Sequence, residues 1–344
     1  MCIRDRGKTV EQVGINFISR PVTSKKIPSP SYVPTEVFFG PQSISTLTTI
    51  LLEQFSNCQN IAVIHGKSNK PWLDEIKIQL SKLPFTFSYF KNEVAFPDLE
   101  SLESLKFQIH KHQPSLILAI GGGSVLDTAK TLATALVNTQ SLRELVQRED
   151  IQVNALPVIA IPTTSGTGSE VTNTATIWDF KKKLKFAVAG PALYPKVALV
   201  DPEYTMSLSC DEVGSTGLDA LAQAVESAWA VSSNNESSQY ALEAIKLLGE
   251  CLLERIIEPE NPVYRSKISL ASLYGGFAIA QSKTTACHSI SYPLTLHYGI
   301  KHGVACAYSL SSMLNFNLHV DESNCTHPQG FRFLSLIHIS EPTR

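Results

Sequence analysis

The chain has 344 residues and a formal net charge of −2, a length that carries two domains and a sizeable core. Near-balanced charge without a basic stripe excludes nucleic acid and anionic membrane surfaces as partners, and no apolar run approaches the roughly 18 residues a bilayer span needs. Seven cysteines without CxxC spacing fit free thiols in a reducing, cytoplasmic setting better than a disulfide framework.

Both ends read as foreign to the fold. Met1-Cys-Ile-Arg-Asp-Arg6 and Leu334-Ser-Leu-Ile-His-Ile-Ser-Glu-Pro-Thr-Arg344 are translations, in opposite orientations, of a transposase adapter used in DNA library preparation. Residues 1–6 and 334–344 are therefore expected to be adapter-derived, with the native C-terminus missing. Residues 7–34 form a polar, irregular N-terminal extension punctuated by Pro21, Pro28 and Pro30.

From there strands and helices alternate. Val37 to Pro41 reads as a strand ending in a turn, followed by a helical pattern from Ile44 to Phe55. Asn60 to His65 is a short buried strand stopped by Gly66, with a helix near Trp72 to Leu83 and a strand from Phe85 to Phe90. A helix over Asp98 to Lys111 precedes the strand Ser115 to Ile120, and a further strand covers Ala155 to Ile161. This alternation predicts a parallel sheet covered on both faces, an α/β domain over residues 35–203. From about Thr205 apolar residues recur at helical spacing, which predicts an all-α domain over residues 204–333.

Two loops follow consecutive strands. Gly121-Gly122-Gly123-Ser124 lies between a buried strand and an amphipathic helix, where glycine admits a phosphate to the backbone N–H groups and the helix N-terminus adds its dipole. Asp127, three residues on, either accepts bonds from a ribose or amide or caps the first turn. The second loop, Thr163-Thr164-Ser165-Gly-Thr-Gly-Ser169, offers hydroxyls and flexible backbone. Together they suit one extended phosphate-bearing ligand crossing the strand ends.

The most telling stretch runs from Lys283 to Gly303. His288 and His302 flank a segment broken by Pro293 and Gly299, read here as a loop. Upstream, Asp219 and Gln223 lie four apart and share one helix face. Asp219, His288 and His302 supply one oxygen and two nitrogens, a set suited to Zn(II) or Fe(II) in a Lewis-acid site.

GGGSVLDTAK, PTTSGTGSE, the Asp201-Pro202 that closes the first domain, GLDALAQAVE and the histidine loop occur in an order that resembles the iron-containing (group III) alcohol dehydrogenases. The resemblance covers about residues 35–330. It implies a Rossmann-like N-terminal domain for NAD or NADP, an all-helical C-terminal metal-binding domain in a dehydroquinate synthase-like architecture, and a homo-oligomer, a dimer. It implies Gly121 to Ser124 at the pyrophosphate, Thr163, Thr164 and Ser165 along the nucleotide cleft, and Asp219, His288 and His302 as ligands of a divalent metal. Departures are informative. Gln223 stands where the family commonly has a histidine. Tyr292 stands where a second loop histidine is often found, which makes it a proton-relay candidate. Gly66 replaces an acid that binds the ribose diol in NAD-preferring members; with Lys67, Ser68 and Lys70 nearby, a 2′-phosphate is tolerated.

The loop from Ser282 to Thr295, together with Gln223, resembles the subgroup that reduces phosphonoacetaldehyde to 2-hydroxyethylphosphonate. Lys283, with Thr284, Thr285 and Ser291, is chemically suited to a phosphonate head group. The expected function is an NAD(P)H- and metal-dependent reductase of a small anionic aldehyde, with sulfoacetaldehyde or a plain short aldehyde as rival substrates. A dehydroquinate synthase-like lyase and an inactive fragment are the remaining readings.

Overall fold

The computed structural model describes residues 24–66, 70–147, 154–321 and 323–327; the expectations placed on residues 1–6, 334–344, Lys67 and Ser68 lie outside them. Seven strands form one sheet: β1 (Lys25–Ile27), β2 (Glu36–Phe39), β3 (Asn60–His65), β4 (Thr86–Lys91), β5 (Leu116–Gly121), β6 (Val158–Pro162) and β9 (Val197–Val200). Their order is β1-β2-β9-β6-β5-β3-β4, parallel throughout except for β1, which runs antiparallel to β2. The edge strand β1 is a departure from the irregular entry read in the sequence. Only Ile27 of its three residues turns inward, to pack with Val33, Val37 and Phe39, too short a pattern to show a period.

Successive strand residues point to opposite faces. Ile61, Val63, Leu116, Leu118, Ile120, Ile159 and Ile161 meet α1 (Leu47–Gln54) and α2 (Pro71–Leu80) on one side. Ala62, Ile64, Ile117, Ala119, Val158 and Ala160 meet α3 (Leu99–His110), α4 (Gly123–Ala135) and α5 (Leu142–Val146) on the other. Covering both faces is why these strands read as unbroken apolar runs. Each fully buried Ile or Leu contributes about 1.5–3 kcal/mol.

A hairpin left unassigned by the sequence reading, β7 (Thr174–Asp179) and β8 (Leu184–Ala189), stands apart from the main sheet. Its antiparallel register sets Trp178 opposite Lys185, and both reach the cleft described below.

After β9 the chain is helical: α6 (Cys210–Trp229), α7 (Asn235–Ile257), α8 (Pro262–Ser282), α9 (Ala286–Tyr298) and α10 (His302–Leu318). Helix α8 joins the halves. Its Leu270, Leu273 and Phe277 share a core with Val37, Phe39, Val171 and Val200, and Ser269 Oγ lies 2.9 Å from Ser165 Oγ. Gly168, at φ +61°, passes so near Gly276 that a Cβ on it would stand 2.3 Å from the Gly276 Cα; a side chain there would part the two halves. Among the described residues no helix is long and apolar enough to cross a membrane.

The segment read as a Pro- and Gly-broken loop is instead helix α9, with Pro293 inside it. Pro293 and Ser289 are both exposed, so the carbonyl that loses its N–H partner faces water and the helix survives. Cys287, His288, Ser291 and Thr295 form the buried face. Gly299, at φ +66°, ends the helix.

Candidate active site

Helix α6 is capped by Ser209 and Glu212, whose reciprocal bonds fix its start. Its buried face presents Asp219, Gln223 and Glu226 among alanines. Helices α9 and α10 bring His288 and His302 to that face. His288 Nε2 lies 3.4 Å and His302 Nε2 3.8 Å from Asp219 Oδ1, and the two rings stand 5.5 Å apart at 77°. Cys306, one turn after His302, places its Sγ 3.8 Å from both ring nitrogens of His302. Donor atoms of Asp219, His288, His302 and Cys306 all lie within 4.8 Å of one another.

Asp219 Oδ1, Gln223 Oε1 and His288 Nε2 are buried without a hydrogen-bond partner. Orphaned buried polar atoms are costly, and three on one cavity wall fit a divalent cation. Burial works against the charged forms here, but the neighbours prevail. Asp219 stays below the usual carboxylate range through His288 and His302. His288 is raised well above its ordinary value by Asp219, Cys306 and Glu226. A cation and that imidazole proton compete for the same acceptors.

Behind His288 stands Glu226, whose Oε2 takes the Nδ1 side of the ring. A carboxylate on the far nitrogen turns Nε2 outward and fixes the ring, as behind metal-bound histidines. Glu226 Oε1 also accepts from Thr285 N at 3.0 Å, Thr285 Oγ1 at 2.7 Å and Cys287 N at 2.8 Å. It thus caps α9, which has no side-chain cap of its own. Ser291 Oγ bonds the His288 carbonyl at 2.6 Å and meets His302 Nδ1 at 3.3 Å.

One cavity of about 540 Å³ runs between the halves. Gly122, Gly123, Ser124, Asp127 and Thr164 line it from the sheet side, with Asp219, Gln223, His288 and His302 opposite. Helix α4 begins at Gly123 with no side-chain cap, which leaves its first N–H groups for an anion. A Cβ on Gly123 would stand 2.5 Å from Thr167 and one on Gly122 3.0 Å from Thr164, so glycine lets the two loops close on each other here, while one on Gly121 would stand 2.4 Å from Val125 in the first turn of α4. Asp127 does not cap its helix. Its Oδ1 accepts from Ser169 Oγ at 2.5 Å and its Oδ2 from Thr176 N at 2.8 Å. Fully buried Lys130 completes this knot through the carbonyls of Ser169, Thr172 and Thr174.

Of the remaining expected residues, Lys283, Thr284 and Tyr292 line the cavity, while Gly66, Gly121, Thr163, Ser165, Thr285 and Ser291 are not among its lining residues. The hydroxyls of Thr285 and Ser291 are engaged with Glu226 and His288 as described. Thr163 continues the sheet through its N–H to Gly121 O. Lys283 adopts φ 62°, ψ 179° at the end of α8, a conformation almost restricted to glycine and costing about 1–3 kcal/mol. Tyr292 stacks on His302 at 14° and packs edge-on against Trp178. The ammonium of Lys185 lies 3.6 Å from the centre of its ring.

Glu226, Cys306 and Lys185 are absent from the site read in the sequence. Asp219, Gln223 and Glu226 fall at i, i+4 and i+7, and Cys306 four residues after His302; such one-face spacing of polar groups in apolar helices was the available signal. Lys185 had none, because only the hairpin carries it to the cleft.

A glycine loop at a helix start and a cluster of side chains able to hold a metal thus face each other across one cleft. The sequence profile for iron-containing alcohol dehydrogenases matches residues 34–202, and that for the C-terminal part of the Fe-containing alcohol dehydrogenase family matches residues 214–330. The chain belongs to the iron-containing alcohol dehydrogenase family. It is 32% identical over 301 residues to the phosphonoacetaldehyde reductase of Streptomyces viridochromogenes, covering 85% of this chain and 75% of that protein. Sulfoacetaldehyde reductase from Bifidobacterium kashiwanohense, solved in complex with NAD+, superposes with a TM-score of 0.76 at 27% identity, covering 91% of this chain and 85% of that one. A crystal structure of an iron-containing alcohol dehydrogenase superposes with a TM-score of 0.78 at 31% identity, covering 91% and 87%.

Proposed function

We propose that the protein reduces a small anionic aldehyde with NAD(P)H and a divalent metal, and that the substrate is phosphonoacetaldehyde. The observation that carries this reading is a single cavity holding three kinds of group: an uncapped glycine-loop helix, orphaned metal-ligand atoms, and the cationic side chains Lys185 and Lys283. Fe(II) or Zn(II) held by Asp219, His288 and His302, with the Gln223 carbonyl beside it, supplies Lewis-acid polarisation of the aldehyde, and a reduced nicotinamide supplies the hydride.

The protein's own groups do the rest. Gly122, Gly123 and Ser124 bind the cofactor's pyrophosphate. Lys283, from the helical half, and Lys185, from the hairpin, hold the phosphonate. The Tyr292 ring contacts both the His302 ring and the Lys185 ammonium, so it can orient the carbonyl end relative to the anionic end, and it is the side chain assigned here to deliver the proton. Gly66 ends β3, and an added Cβ there meets nothing closer than 3.8 Å. The missing acid at this point supports use of NADPH. A pair of lysines recognises a sulfonate as readily as a phosphonate, so sulfoacetaldehyde is the second reading.

The test is oxidation of NADPH and NADH by protein loaded with Fe(II) or Zn(II), against phosphonoacetaldehyde, sulfoacetaldehyde and propanal. Lys283→Ala and Lys185→Ala should each lower kcat/KM for the anionic aldehydes roughly 30-fold, about 2 kcal/mol, with propanal little changed. Equal losses on all three substrates would return the protein to a reductase of plain aldehydes.

A further inference from the structure

We propose that Cys306 is itself a ligand of the metal, so that the protein offers a mixed Asp-His-His-Cys set rather than oxygen and nitrogen alone. The proposal rests on the metal reading given above and extends it to the identity of the donors.

Donors about 2.0–2.3 Å from one ion stand roughly 3.3–3.7 Å apart around a tetrahedron. Asp219 Oδ1 to His288 Nε2 is 3.4 Å, Asp219 Oδ1 to His302 Nε2 is 3.8 Å, and Cys306 Sγ to His302 Nε2 is 3.8 Å. These three separations lie at or close to that range, and donor atoms of all four residues lie within 4.8 Å of one another. The thiol has no solvent to face, since Cys306 is 0% exposed. It stands four residues after His302 on α10, so both side chains leave the helix on one face. Independent of the thiol, Asp219 and His288, 4% and 5% exposed, aim unpartnered atoms at the same point. An inert core cysteine would have apolar groups beside its sulfur; this one has both His302 ring nitrogens at 3.8 Å and donor atoms of His288 and Asp219 within 4.8 Å.

Thiolate is a softer donor than carboxylate or amide, and it ranks Zn(II) above Fe(II). On binding, the thiol proton leaves to solvent as the sulfur–metal bond forms. Gln223 is then not required as a donor, and an aldehyde polarised at this site would have to enter as a fifth ligand.

Cobalt(II) titration of the full chain tests this without measuring turnover. Wild-type protein should show a near-ultraviolet thiolate-to-cobalt charge-transfer absorption together with the visible ligand-field bands. Cys306→Ser should lose the first, keep the second and bind cobalt about 10–100-fold more weakly; Cys287→Ser, altered at the neighbouring buried thiol, should keep both. If wild-type protein shows ligand-field bands that vanish in His302→Ala but no charge-transfer absorption, Cys306 is no ligand while the metal site stands. If it binds no cobalt, this inference and the metal reading both fall. The wild-type spectrum decides even where Cys306→Ser does not fold.

Discussion

Five donors converge on the carboxylate of Glu226: Thr285 N and Oγ1, Cys287 N, His288 N and the His288 ring. Burial raises its pKa, but these bonds outweigh burial and hold it below the ordinary value, so the buried group is charged. One residue thereby does two jobs, starting α9 and fixing the imidazole whose Nε2 faces Asp219. Glu226→Gln keeps the shape but turns an N–H₂ group toward donors. It should cost about 1–3 kcal/mol of stability and weaken Zn(II) or Co(II) binding about 10–100-fold, as measured by urea unfolding and metal titration. Unchanged metal affinity with lowered stability would reduce Glu226 to a helix cap. At this scale the sequence was legible where chemistry is rare: His288, His302 and Asp219 stood out as isolated polar residues in apolar or small-residue surroundings. Glu226 looked like one more helix carboxylate, because its partners are 59 to 62 residues away.

Among elements, the strands of the sheet were readable because burial on both faces writes itself as apolar runs. Helix α9 was not, since Pro293 and Gly299 are break signals whose effect depends on which side of the helix meets water. Nor was the β7–β8 hairpin, which packs beside the sheet rather than within it. The contact that makes the site is α10 on α6. Its first turn approaches so closely that a Cβ on Gly303 would stand 1.8 Å from Ser215 O and 3.0 Å from Asp219 Cβ. The first of these obstacles is backbone and cannot rotate away. Gly303→Ala should therefore push the start of α10 outward, separate His302 from Asp219, and cost about 1–3 kcal/mol or more. Thermal unfolding and metal titration should fall together. A variant with wild-type metal affinity would show that the two helices can part without disturbing the ligands.

The molecule as a whole is two halves held apart by a working gap, and what sets the gap is the loop after β6. Lys130 and Asp127 tie it to α4, Gly168 seats it on α8, and Glu170 lies 3% exposed between them. Burial raises the Glu170 carboxyl from its ordinary 4.5 to about 7, against the opposing pull of its own backbone and of Lys130. The folded protein therefore holds a proton that the unfolded chain has released at any pH between those values. Stability from this group is complete below about pH 4.5, declines as pH rises, and levels off above about pH 7, a loss on the order of 3 kcal/mol. Glu170→Gln is neutral at every pH and escapes that decline. The variant should be only slightly more stable than wild type at pH 5, with its advantage growing by about 2–3 kcal/mol at pH 8. Urea unfolding at the two pH values measures the gap directly. A gap that stays constant would mean that Lys130 keeps Glu170 ionised in the fold, and the loop would then be held by an ion pair rather than by a buried acid.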